Sequence, residues 1–293
     1  NTVTRVESAI VESGADFTVG ILQLVQHVAL DQSNKGFQDQ LSVRMAEAGK
    51  TVTILDENAS NEQSNNVTIA ENFVAQKVDL IYTIATSSSQ AAAAATEESK
   101  IPVLFNAVTD PVGAGLVASM EVPGGNVSGV SDINPVAQQV SLISELLETT
   151  DVKIGFLYTS AEANSKYQAT EVAKYLKEMG IESREFTSAD SNDLAQVVTS
   201  ACAAVDAIYI PTDNTMASST EIINNIAEPA KVPIIAGEEG ICKGCGIATL
   251  SIDYYSLGKK AGEMAYDILV NGKDPADMEI GFASDLTKKY VKT

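Results

Sequence analysis

Four short segments of this chain carry side chains able to hold a small polar molecule. In Ile210-Pro211-Thr212-Asp213-Asn214-Thr215, an apolar run from Ala207 to Ile210 empties into hydroxyl, carboxylate and amide groups, and a helical pattern follows from Met216 to Ala230. Ile84-Ala85-Thr86-Ser87-Ser88-Ser89, Leu157-Tyr158-Thr159-Ser160-Ala161-Glu162 and Ile235-Ala236-Gly237-Glu238-Glu239-Gly240 repeat the grammar. Each reads as a buried strand running into small polar or acidic residues. The carboxyl edge of an open α/β sheet is where ligands bind, so the four segments are expected to line one site.

The charges around that site favour a cation. Asp110, Asp132, Asp213, Glu238, Glu239 and Asp253 all fall at or near strand ends or crossings. Grouped acids suit an ammonium, although each one also suits the positive end of a helix dipole. The only arginines are Arg5, Arg44 and Arg184, none at a strand's carboxyl end. A ligand carboxylate thus lacks the usual guanidinium fork. Hydroxyls and backbone N–H groups at helix N-termini can replace it, and Thr86-Ser87-Ser88 and Ser160, Asn164 and Ser165 open helices in the two halves.

Catalytic and metal signals are thin. His27 is the single histidine and the only ready general base. There is no Gly-x-Ser-x-Gly elbow and no phosphate-cradling loop. Adjacent Glu238 and Glu239 diverge in direction, which disfavours paired acid–base work. Zinc needs about four ligands, and Cys202, Cys242, Cys245 and His27 are all that exist. Cys242-Lys243-Gly244-Cys245 lies among Gly240, Gly244 and Gly246, so it reads as a loop holding a local disulfide or unpaired thiols. No cofactor is expected.

With 19 Lys+Arg against 39 Asp+Glu the net charge is −20, which repels nucleic-acid phosphates and offers anionic membranes no basic patch. Residues 1–16 hold only Arg5 as a basic residue and cannot form the helix-turn-helix of a regulator. Tryptophan is absent and aromatics are 5 %, which weakly disfavours a sugar site built on stacking. No apolar run approaches the ~18 residues of a membrane span, and no signal peptide is present. An opening at Asn1 instead of Met fits a mature export product or a tag remnant.

The elements that must position these groups alternate. Strands are expected at 17–24, 51–55, 79–85, 102–108 and 127–130, with helices at about 31–48, 67–76 and around 91–95. After Asp132 come helix 135–147, strand 153–158, helix 163–179, strand 181–186, helix 191–203, strand 207–210, helix 216–230 and strands 232–236 and 248–252. Helix 256–270 and a short strand at 280–283 close the chain. A chain of 293 residues accommodates two domains of about 100–150 residues. The pattern predicts two Rossmann-like, doubly wound parallel-sheet lobes joined by a three-strand hinge. Residues 1–16 are a linker, 17–131 with 254–277 one lobe, and 132–253 with 278–293 the other.

Several motifs, in order, resemble those of the substrate-binding components of ABC importers of the tryptophan/tyrosine type. They are Gln26-His27-Val28-Ala29-Leu30-Asp31, Ala85-Thr86-Ser87, the stretch from Ala107 to Ala114, Pro123 to Asp132, Ser160 to Ser165, Pro211 to Thr215, Gly237 to Gly240 and Ile252 to Tyr255. The resemblance implies a type I periplasmic-binding fold closing around a small ligand by hinge motion. It also implies an exported monomer, in Gram-positive bacteria usually lipid-anchored, that serves a membrane permease and its ATPase. The family's anchor cysteine has no counterpart near Asn1.

The implied ligand is an aromatic or related amino acid, in agreement with the charge inventory. Thr86, Ser87, Ser160, Asn164 and Ser165 are then expected to hold its carboxylate, and Asp213 with Glu238 or Asp253 its ammonium. Phe105, Tyr158, Tyr209 and Tyr254 would flank its side chain, although Tyr158 and Tyr209, inside strands, read more readily as core. Gln23, His27, Asp110, Glu162, Thr212 and Asn214 complete the candidate set. A sugar- or nucleoside-binding protein of the same fold and a doubly wound enzyme are the alternatives.

Overall fold

The structure is a computed structural model that describes residues 14–147, 151–283 and 286–290. Of the segment 1–16 expected as a linker, residues 1–13 lie outside the described residues.

β1 (Phe17–Gln23), β2 (Val52–Asn58), β3 (Leu80–Ile84), β4 (Val103–Val108), β5 (Val127–Ser131) and β11 (Gly281–Phe282) form a six-stranded sheet in the order β11-β5-β4-β3-β1-β2. All its pairs are parallel. β3 and β4 are buried at every position, as strands covered on both faces must be. On one face Phe37 and Leu41 of α1 (Val28–Glu47) and Leu257 and Ala261 of α10 (Tyr254–Leu269) pack on Val19, Ile21 and Tyr82. Phe73 of α2 (Gln63–Ala75) and Ala92 of α3 (Thr86–Ala95) cover Leu22, Ile81 and Phe105 on the other.

The second sheet has the order β12-β10-β9-β8-β6-β7: β6 (Lys153–Thr159), β7 (Glu182–Ser188), β8 (Ala207–Ile210), β9 (Ile234–Ala236), β10 (Ala248–Ile252) and β12 (Leu286–Tyr290). Its pairs are parallel except β10 with β12. α4 (Val136–Leu147) and α5 (Ala163–Glu178) cover one face through Val140, Ile143, Val172 and Leu176. α6 (Leu194–Cys202), α8 (Thr220–Ala230) and α9 (Glu239–Cys245) cover the other through Val198, Ile223 and Ile241. α7 (Asn214–Ser218) is a short helix directly after β8.

The chain passes between the sheets three times: from β5 to α4, from β10 to α10, and from β11 to β12. α10 is held by an unusually close approach to α1. A Cβ on Gly258 would lie 2.0 Å from the Ser33 carbonyl oxygen, and one on Gly36 would lie 2.1 Å from that of Tyr255.

Several expectations change. The short strand near 280–283 was assigned to the second lobe, but Gly281 and Phe282 pair with Val130 and Ser131 of β5 in the first sheet. Ile280 is buried in that lobe's core, and its N–H donates to Met120 O at 2.8 Å. The last crossing therefore comes after Phe282, not at 278. The strand that does reach the second sheet, β12, was not expected. The helix read as 216–230 is two helices meeting at Ser219, and β2 extends through Asp56, Glu57 and Asn58, read as loop. Finally, the Cys-Lys-Gly-Cys segment is helical. Glu238 accepts from the N–H groups of Gly240 and Ile241, and Ile241 and Cys242 of α9 are buried. All three cysteines are free.

Candidate functional site

The two sheets point their carboxyl edges at each other. His27, just after β1, places Nε2 3.2 Å from Asn214 Oδ1 at the start of α7. Asn61 donates to Thr215 Oγ1 at 3.2 Å, and Gln168 of α5 donates to Thr109 Oγ1, beyond β4, at 3.1 Å. These direct hydrogen bonds bridge the lobes, and the cleft is closed. Beside them lies a cavity of about 290 Å³, lined by Thr86, Asp110 and Ala114 from the first lobe and Asn164, Tyr167 and Glu171 from the second. Another of about 430 Å³ lies between Val28 and Gln32 of α1, Glu238, and Tyr254 and Tyr255 of α10.

Helix starts at the cleft divide into two kinds. α3 begins after Ala85, whose φ is +91°, and no side chain caps it. Its first residues, Thr86 and Ser87, therefore offer backbone N–H groups with no internal partner. α1 after His27 and α5 after Glu162 likewise lack a side-chain cap. In contrast, the acids expected to bind an ammonium cap their own helices. Asp213 accepts from Thr159 N at 2.7 Å, Thr159 Oγ1 at 3.0 Å and Met216 N at 2.9 Å. Glu238 caps α9, and Asp253 accepts from Ser256 N at 3.0 Å to cap α10. Each of the three is committed to its own helix N-terminus, because a free N–H pair two or three residues ahead is the nearest partner a carboxylate has. Burial, reinforced by the charge of Glu162, raises the Asp213 pKa above the usual carboxylate range. Burial also raises that of Glu238, against the pull of His27.

Glu162 is similarly occupied. Its two oxygens accept from Asn214 N at 3.0 Å and Nδ2 at 2.7 Å, from Thr215 N at 2.9 Å and Oγ1 at 3.0 Å, and from Asn164 Nδ2 at 3.1 Å. Because Asn214 turns its NH2 to Glu162, its oxygen faces His27, so His27 Nε2 carries the proton of that contact. Asn164 and Ser165 also reach the Thr212 carbonyl, at 3.0 and 3.2 Å. Asp110 half-faces the smaller cavity while accepting from Gly113 N at 2.8 Å.

Other candidates fall outside this group. Gln23 donates to Asp31 at 2.8 Å and accepts from Asn34 at 3.0 Å, within the first lobe. Ser160 is exposed and donates to Ser188 O at 3.1 Å. Phe105 belongs to the first core, while Tyr158 donates to Glu185 at 3.1 Å and Tyr209 to Gln139 at 2.6 Å from within the second lobe. Tyr254 does stand at the hinge, donating to Asp132 Oδ2 at 2.9 Å. Asp132 also accepts from Thr109 Oγ1 at 2.9 Å, and burial raises its pKa.

Sequence reasoning missed Gln168 and Asn134. Gln168 is fully buried, accepts from Thr212 N at 3.1 Å and bridges the lobes. The signal was available: 164, 165 and 168 share a helix face at i, i+3 and i+4 spacing. Among the described residues no group of three or more His, Cys, Asp and Glu is placed to hold a metal ion, and no helix is long and apolar enough to cross a membrane.

A closed cleft between two such lobes, lined by polar groups at strand ends, is a ligand-trapping arrangement. Residues 18–289 match the family described as ABC transporter substrate binding protein. This chain belongs to that family. As an ABC substrate-binding protein it resembles a curated tyrosine-binding protein of Clostridioides difficile (strain R20291), 41 % identical over 262 residues that cover 89 % of this chain and 75 % of the relative. It resembles an ABC domain from Streptococcus pneumoniae solved in complex with L-Trp at 39 % identity, covering 92 % of this chain and 91 % of the other, with a TM-score of 0.85. A ligand-free, open substrate-binding protein with adhesive properties from Clostridium difficile is also 39 % identical, covering 93 % and 91 %, but its TM-score is 0.68. At equal identity, the lobes here stand more as in the tryptophan complex than as in the open protein, in keeping with the direct interlobe hydrogen bonds. Substrate-binding proteins of ABC transporters work outside the cytoplasm.

Proposed function

We propose that this substrate-binding protein captures a single aromatic amino acid, tyrosine or tryptophan, between its lobes and hands it to an ABC permease driven by its ATPase. The observation that carries the amino-acid reading is the uncapped N-terminus of α3 beside the interlobe cavity, which Thr86 lines from one side and Asn164 from the other. Backbone N–H groups and a helix dipole there suit a carboxylate where no arginine is at hand. The tyrosine-binding and tryptophan-bound relatives support the aromatic side chain. The chain acts as a binding protein and not as an enzyme: His27, the single histidine, is engaged with Asn214. It works as an exported monomer, at the cell surface on a lipid anchor or in the periplasm.

Native mass spectrometry of the purified protein, followed by a thermal-shift panel of amino acids, sugars and nucleosides, tests this. Retention of tyrosine or tryptophan at one per chain, with stabilisation when it is added back, is the expected result. Stabilisation by a sugar or nucleoside and by no amino acid would overturn the reading. Within the site, Thr86→Val, which removes the hydroxyl that lines the cavity beside the backbone N–H groups, is expected to weaken amino-acid binding by roughly tenfold, the scale of a hydrogen bond to a charged group.

A further inference from the structure

We propose that Asn134 is a ligand-binding residue whose side-chain oxygen accepts the ligand's ammonium, and that Asp132 is the positioning residue that turns the Asn134 amide to present it. The proposal rests on the amino-acid reading above and adds the group that recognises the amine.

Asn134 lies on the first crossing between the lobes and is 6 % exposed. Its Nδ2 donates to Thr212 Oγ1 at 2.6 Å and to Gln168 Oε1 at 3.2 Å. Its Oδ1 is buried with no hydrogen-bond partner among the described residues. Buried polar atoms nearly always find a partner, so an orphan on the crossing between the lobes, held by the same Gln168 that reaches Thr109 of the first lobe, points to a group arriving from the ligand.

Proton counting makes that oxygen, and not the NH2, the free end. The Asp132 carboxylate supplies no proton and accepts from both Tyr254 Oη and Thr109 Oγ1. Thr109 has one proton and gives it to Asp132, so its oxygen accepts from Gln168 Nε2. Gln168 must then turn Oε1 the other way, toward Thr212 N and Asn134 Nδ2. Flipping Asn134 would set its oxygen against Gln168 Oε1, acceptor facing acceptor. Every link therefore donates toward Asp132, and the chain ends in a lone acceptor. An ammonium brings only donors, which is what such an end takes; a carboxylate or a neutral acceptor would be refused. The acids first expected in that role, Asp213, Glu238 and Asp253, are engaged by helix N-termini, which leaves the ammonium to a neutral acceptor.

The test is calorimetry of the full chain against the twenty amino acids, then against the best binder and its des-amino analogue, in wild type and in Asn134→Leu. Wild type is expected to prefer the amino acid, and Asn134→Leu to cut that preference by tenfold or more while the analogue's affinity changes far less. A structural defect would lower both affinities together and leave the ratio intact, which would overturn the proposal. Should Asn134→Leu fail to fold, Asp132→Asn serves, since an amide there can donate to Thr109 and reverse the chain; the preference should fall severalfold, and an unchanged preference overturns the proposal. A non-aromatic amino acid as best binder, with the same collapse of the ratio, would overturn the aromatic reading and leave this inference standing. Binding of none of the twenty overturns both.

Discussion

Asp213 shows what a buried acid does in this protein. It joins the end of β6, through Thr159, to the first turn of α7, through Met216 N. Asp213→Ala strands a buried N–H, a hydroxyl and a helix start. Loss of roughly 1–3 kcal/mol of stability is expected from those unmade bonds, read as a lower chemical-denaturation midpoint without ligand. A variant that lost ligand affinity yet kept full stability would assign Asp213 to the ligand instead. The thiols are as quiet as the acid is busy. Burial pushes Cys242 up to about 11 and Cys245 up to about 12. Since the thiolate is the reactive form, the folded chain should resist iodoacetamide at pH 7 and react once denatured, as intact-mass measurement would show.

At the scale of elements, two helix pairings decide how the lobes behave. α1 and α10 meet over Gly36 and Gly258, each too close to an opposing carbonyl for a Cβ. Gly258→Ala should destabilise the first lobe by about 1–3 kcal/mol or more through overpacking, visible as a lower Tm. The second pairing is the N-terminus of α1 against that of α7, joined by His27 and Asn214 and flanked by the Asn61–Thr215 bond. These contacts exist only when the cleft is shut. His27→Ala combined with Asn61→Ala removes two bonds of about 0.5–1.5 kcal/mol each. Ligand dissociation should accelerate about tenfold in stopped flow, with no loss of thermal stability in the free, open protein.

For the whole molecule, pH is the informative variable. Asp132, Asp213 and Glu238 all have folded-state pKa values raised by burial above the ordinary 3.8 of Asp and 4.5 of Glu. The folded chain therefore holds protons that the unfolded chain has released, and stability falls as pH rises from those ordinary values through the raised ones. Asp16 works the other way: Lys50 and Thr51 lower it to about 2, so its contribution is lost only as pH falls below 3.8. Between pH 5 and 8 Asp213, pushed up to about 8, dominates. Tm is expected to decline across that window, with a shallower slope in Asp213→Asn. A rising Tm would show that these carboxylates are better solvated than their burial indicates.

Much was legible in the chain because it is local. Apolar runs such as Leu80–Ile84 and Val103–Val108 are too continuous for a half-exposed strand, and alternation with helices leaves parallel sheets covered on both faces as the outcome. Polar clusters at the strand ends marked the edge that carries the site, and the scarcity of arginine and histidine narrowed its chemistry. Direction and partnership were not legible. Whether Asp213 faces a ligand or Met216 N depends on a turn geometry formed only after β8 and β6 lie side by side, and helix capping satisfies the nearer donor first. Gly281–Phe282 joins the first sheet because the edge of β5 is free there, which no two-residue propensity records. Gln168 met Thr109 only when two lobes, distant in sequence, closed on each other. Hydrophobic periodicity is a property of neighbours along the chain, whereas hydrogen-bond direction is a property of every proton in a network, and that network exists only in the folded, closed molecule.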